Sequence, residues 1–164
     1  MQGAGGQRNI RGLVVPALLV RLIETGRWKH PGAAVLARLL PWFEDPLDFL
    51  ADMDDMERQS RALDRLVDDE EQARLFHLAR PRSPADSVDL PRLDVEHAIL
   101  IGTSQYAGDD TAIALDFRTD LADPRVVGSD IWTVPHQHHW RTVSPTFSAF
   151  TEALGLDTLV QPSE

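Results

Sequence analysis

No cysteine occurs in the 164-residue sequence. Disulfides, thiolate nucleophiles and cysteine-ligated zinc sites are therefore excluded, and a reducing cytosol is a natural setting. Lysine and asparagine are nearly missing too. Lys29 and Asn9 stand alone against fifteen arginines, a usage that fits a GC-rich bacterial genome and says nothing of function. Positive charge is scarce: 16 Lys and Arg face 26 Asp and Glu, for a formal net charge of −10. A general nucleic-acid binder needs clustered basic side chains, so that class is set aside. No run reaches the ~18 apolar residues of a membrane helix. Arg8 and Arg11 precede the apolar run Leu13 to Val20, but Pro16 interrupts it, Arg21 ends it and no small-residue cleavage site follows. No signal peptide is expected.

Familiar catalytic loops are lacking as well. Gly3-Ala4-Gly5-Gly6 precedes no strand and has no lysine, so it is not a phosphate-binding loop. Gly102-Thr103-Ser104-Gln105-Tyr106 has tyrosine where a nucleophile elbow needs its second glycine.

What remains is a chain of single-domain length with an ordinary apolar fraction. Residues 1–12 are glycine-rich with little to bury and are read as a disordered extension. Residues 13–156 are read as one domain, with a helical part over 13–79, a proline-punctuated loop over 80–92 and a strand-rich part over 93–156. Residues 157–164 form a tail. A helix opens near Pro16, buries Leu18, Leu19, Leu22 and Ile23, and stops at Gly26. A second, its antiparallel neighbour, runs from Pro31 to Pro41. Asp45-Pro46 has the look of a helix cap followed by proline, with Leu47, Phe49 and Leu50 packing inward. A longer helix spans about Asp54 to Val67, with Met56, Leu63, Leu66 and Val67 as its stripe. Asp68-Asp69-Glu70-Glu71 is a link or the first turn of a short helix.

The second half changes character. Ala98 to Gly102 is a continuous apolar run, expected as a central strand. Gly108-Asp109-Asp110 supplies a turn. The next run alternates, with Ile113, Leu115 and Phe117 on one side and Ala114 and Asp116 on the other, which predicts a half-buried strand with Asp116 toward solvent. Val126-Val127 and Trp140 to Val143 are further strands. Ser144-Pro145 is expected to cap a last helix carrying Phe147, Phe150 and Leu154, closed by Gly155. Helices followed by strands indicate an α+β fold: N-terminal helices packed on a mixed or antiparallel sheet with a closing C-terminal helix.

Candidate chemistry is sparse. His136 and His138 are two apart and would share one side of a strand, and with a carboxylate they could begin a metal site; a metal-dependent hydrolase using the loop His136 to His139 is the enzymatic alternative. Zinc needs a third ligand that the spacing does not supply, so no metal, cofactor or catalytic residue is assigned. Asp109, Asp110, Asp116, Asp120 and Asp123 do not match a calcium loop. Trp132, Trp140, Phe147 and Phe150 read as core. The charge is uneven: residues 1–80 carry 11 basic and 13 acidic side chains, residues 81–164 carry 5 and 13.

Three stretches in Leu90 to Leu156 resemble the SUKH superfamily, which includes fungal cell-wall-assembly regulators of the Knr kind and many bacterial immunity proteins. They are Gly108 to Asp116, Asp123-Pro124-Arg125-Val126-Val127, and Trp140 to Phe150. The matching fold residues are Asp116, Pro124, Trp140, Pro145, Phe147 and Phe150. The resemblance implies a non-enzymatic protein-binding domain, of the kind that binds and neutralises a toxin, or else a regulatory or scaffold module in cell-envelope assembly. A net acidic surface suits a basic partner, such as a nuclease-like toxin, and neither nucleic acid nor membrane. Exposure and charge single out Glu44, Asp45, Asp109, Asp110, Asp120, Asp123, His136, His138 and His139 as partner contacts.

Overall fold

The computed structural model describes residues 8–41, 46–80, 90, 92–105, 111–130 and 139–156. The fold is α+β. Its centre is a five-stranded antiparallel sheet in the order β3-β6-β7-β8-β9, formed by β3 (Leu47–Phe49), β6 (Ala98–Ser104), β7 (Ala112–Asp116), β8 (Arg125–Asp130) and β9 (His139–Ser144). Strands β6 to β9 are consecutive antiparallel neighbours, so that part of the sheet is a meander. All five residues of β7 are buried. Alternate side chains of a strand point to opposite faces, so both faces of the sheet are covered there.

The longest helix, α3 (Met53–Val67), packs on β6. Asp52 caps it by accepting a hydrogen bond from the Asp55 N–H, and Asp54 and Asp55 in its first turn suit the positive end of the helix dipole. Met56 and Leu63 are its most buried side chains, as the stripe predicts. Ser60 is buried beside them, and its hydroxyl accepts the Leu100 N–H at 2.9 Å. That bond falls where β6 bulges between Leu100 and Gly102. The closing helix α5 (Phe147–Leu154) lies against β8 and β9 and against α2 (Ala33–Leu39). Phe147 and Phe150 belong to an aromatic group with Trp28 and Phe49. Trp28 stacks on Phe49 with ring centres 4.7 Å apart and donates its indole N–H to the Leu50 carbonyl. These side chains join one hydrophobic core that runs from Ile10 to Leu156.

Four expectations need correction. Residues 8–12 of the segment assigned to a disordered extension are part of the fold. β1 (Asn9–Ile10) and β2 (Leu13–Val14) form a hairpin ahead of α1 (Ala17–Glu24), and Ile10 is fully buried. What holds this glycine-poor end of the stretch is Arg11. Its guanidinium makes two bonds to Asp64 and donates to the carbonyls of Val95 and Ala98. Leu47 to Phe49 is a strand, not a helical turn: Leu47 and Phe49 face inward while Asp48 is exposed, and the segment pairs with Gly102 to Ser104. The last helix is capped by Thr146 rather than Ser144, because β9 runs through Ser144 and leaves Pro145 in the connection. Finally, α2 makes its main helix contact with α5 and not with α1.

The remaining elements are small. α4 (Glu70–Leu75) is capped by Asp69, which settles the acidic run as a first turn. β4 (Leu78–Ala79) pairs in parallel with β5 (Leu93–Asp94), and a single 3-10 turn, Val95–His97, leads into β6. No helix among the described residues is long and apolar enough to cross a membrane.

Candidate functional site

Asp116 ends β7, and the alternation that put it toward solvent is overruled: its side chain has no solvent exposure. The reason is two arginines. Arg118, two residues on, donates to the carboxylate from its backbone N–H, from Nε at 2.9 Å and from Nη2 at 2.7 Å. Arg125 sits directly opposite in the β7–β8 register and donates from Nε at 2.9 Å. Burial alone would raise the Asp116 carboxyl. The hydrogen bonds and charge of Arg118, followed by the charge of Arg125, carry it below the ordinary carboxylate range. A buried anion between two guanidinium groups clamps the ends of the β7–β8 connection together.

That clamp presents a short loop. Asp120 turns back on its own chain and accepts the N–H groups of Ala122 (2.8 Å) and Asp123 (3.0 Å). Those bonds hold its carboxyl below the usual range, so it stays ionised. Leu121 follows and is 69% exposed, the most exposed large apolar side chain among the described residues. Asp123 then ties the loop to α5, accepting the Ser148 N–H at 2.9 Å and the Ser148 hydroxyl at 2.6 Å. Pro124 is buried behind it. The loop is rigid at both ends and shows a carboxylate and a leucine at its tip.

Of the nine residues expected at a partner contact, the described part of the chain holds three. Asp120 is exposed. Asp123 is a helix cap whose two oxygens are engaged. His139 begins β9 and packs edge-on against His77, with ring centres 4.4 Å apart. Glu44, Asp45, Asp109, Asp110, His136 and His138 lie outside the described residues, as does the Gly108-Asp109-Asp110 turn. Among the described residues, no group of three His, Asp or Glu side chains is placed to hold a metal ion.

Sequence reasoning missed several participants. Arg118 and Arg125 had no periodic sign: Arg118 reaches Asp116 from the turn that follows β7, and Arg125 from the register position opposite it on β8. Leu121 was hidden in a loop read only for its acids. A groove of about 500 Å³ between α3, α4 and the sheet had no local sign. Leu63, Leu66, Phe76, Leu100, Thr103 and Trp140 are among its walls, drawn from distant stretches of chain. Trp140 is fixed there by donating its indole N–H to the Phe76 carbonyl at 2.9 Å.

Compared with protein-family models, curated proteins and solved structures, the chain matches none with significance.

Proposed function

We propose that this chain is a non-enzymatic protein-binding domain related to the SUKH proteins, acting in the cytoplasm as an immunity-type partner of a basic, nuclease-like toxin. The observation that carries the reading is the Asp120–Leu121 tip. It is charged and apolar together, and it sits on a loop held by hydrogen bonds within the chain, a preorganisation that would lower the entropy cost of binding. The net charge of −10 favours encounter with a basic surface. Five of the six residues of the resemblance, Asp116, Pro124, Trp140, Phe147 and Phe150, are buried and act as a frame behind that tip, while Pro145 is exposed.

The test is co-expression with a toxin encoded beside the chain, followed by binding measurements on the pair. The expected result is neutralisation of the toxin and an affinity that falls as salt rises. Asp120→Asn combined with Leu121→Ser should weaken binding by about tenfold or more. Asp120→Asn keeps the Oδ1 acceptor of the turn, so the melting temperature should change little. An affinity insensitive to both salt and these substitutions would remove the proposal.

A further inference from the structure

Most of the strongly held arginines spend their guanidinium groups on carboxylates, Arg11, Arg80, Arg118 and Arg125 among them. Arg74 and Arg92 do not. Neither has a carboxylate partner among the described residues, and both line one surface cleft of about 270 Å³ together with Ala73, His77 and Leu78. In a chain of net charge −10, two cations sharing a cleft with no counter-ion among the described residues form a local exception to the surrounding field.

The main chain fixes this arrangement. Arg74 lies in the last turn of α4 and Arg92 directly precedes β5. His77 links them: its N–H donates to the Arg74 carbonyl, and its own carbonyl accepts the Leu93 N–H at 2.7 Å. The Arg92 carbonyl is held in turn by Arg118 Nη2 at 3.2 Å. His77 has φ 51, a left-handed conformation that glycine or asparagine adopts at lower cost. A strained backbone of this kind gathers at functional sites more than elsewhere. The two exposed arginines therefore leave hydrogen-bonded backbone segments and line the same cleft.

We propose that this cleft binds a small oxyanion of the phosphate type, held between the guanidinium groups of Arg74 and Arg92. A phosphate presents enough acceptor oxygens to fill two guanidinium forks at once, whereas a carboxylate saturates one. The volume is below the roughly 300–1,000 Å³ of pockets that enclose drug-sized ligands, so the cleft receives a phosphate group and not a whole nucleotide cofactor. This site is independent of the partner-binding reading and does not rest on it.

The experiment is titration of the full chain with inorganic phosphate at ionic strength held constant with sodium chloride, followed by amide chemical shifts. Saturable shifts confined to Arg74 to Leu78 and Arg92 to Leu93 are expected. Arg74→Gln and Arg92→Gln should each weaken binding about tenfold, the loss of one charge-assisted hydrogen-bond pair, while Arg58→Gln on α3 leaves it unchanged. Acetate should bind more weakly than phosphate, and the relative strength of O-phosphoserine and free phosphate distinguishes an ester source from the free ion. Absence of saturable shifts, equal binding of acetate, or phosphate binding that survives both arginine substitutions overturns the assignment.

Discussion

Replacing the Asp116 carboxylate by an amide leaves Arg118 and Arg125 facing each other with no anion between them. Removing one member of a buried ionic group typically costs 3–5 kcal/mol, and the arginines here keep some solvent contact. Asp116→Asn should therefore lower the unfolding free energy by about 3 kcal/mol, read from urea denaturation. The same carboxylate governs the acid limb of stability. Asp116 and Asp64 titrate below the ordinary range when folded, Asp64 chiefly through its hydrogen bonds to Arg11. In the unfolded chain they titrate near pH ~3.9. Their stabilisation is thus complete above that value and is lost as pH falls through the depressed folded values. A pH series of melting temperatures should show the wild type falling below about pH 4, with a shallower fall in Asp116→Asn. Arg11 makes a related point. It occupies a left-handed turn position at φ 52, where asparagine or glycine would relax the backbone, yet its guanidinium serves three separate segments. Residue-level reading failed at both places for one reason. Alternation and composition report where apolar groups go, and a charged side chain buried by its ionic partners, near or far along the chain, leaves no periodic trace.

At the level of elements, the bulge in β6 is the most constrained point. A Cβ on Gly102 would sit 2.8 Å from the Ile113 side chain and 3.1 Å from the Asp48 carbonyl, so β3 and β7 both close on this glycine. Gly102→Ala should destabilise by about 1–3 kcal/mol, the usual cost of overpacking, without loss of helix content by circular dichroism. One turn of α3 serves the same bulge. Ser60→Ala leaves the buried Leu100 N–H without its acceptor and should cost about 1–3 kcal/mol, measured the same way. The elements with long periodic stripes, α3 and α5, and the apolar strand β6 were readable from sequence because burial and period agree there. β3 was not. Its three residues are too short for a period, and the preceding Asp45-Pro46 imitates a helix start. The cap of α5 slipped by two residues because Ser144, a good cap type, is used instead as the last residue of β9, where its hydroxyl donates to the Thr146 carbonyl. The α+β class was legible; the order β3-β6-β7-β8-β9, which depends on a strand from the helical half entering the sheet, was not.

The whole molecule is one core with charge arranged around it. The acidic excess of residues 81–164 is only partly a surface property. Asp94 and Asp116 are buried and Asp123 caps a helix, so the visible charge of that half rests on fewer side chains than composition suggests. Asp120, exposed and without a tertiary partner role of that kind among the described residues, stands apart from them. The Arg11 anchor also sets an order of assembly. β6 to β9 are nearest neighbours along the chain, whereas Arg11 must find Asp64, Val95 and Ala98 across 53, 84 and 87 residues. Loop closure over such spans is costly until the distant surfaces exist, so the meander is expected to condense first and the N-terminal hairpin to dock onto it. Amide hydrogen exchange should accordingly show Ile10 to Val14 opening at lower free energy than β6 and β7, and Asp64→Asn should widen that gap. A chain trimmed of the residues ahead of Gly12 would then keep its sheet while losing the bolt that seats α3 against it.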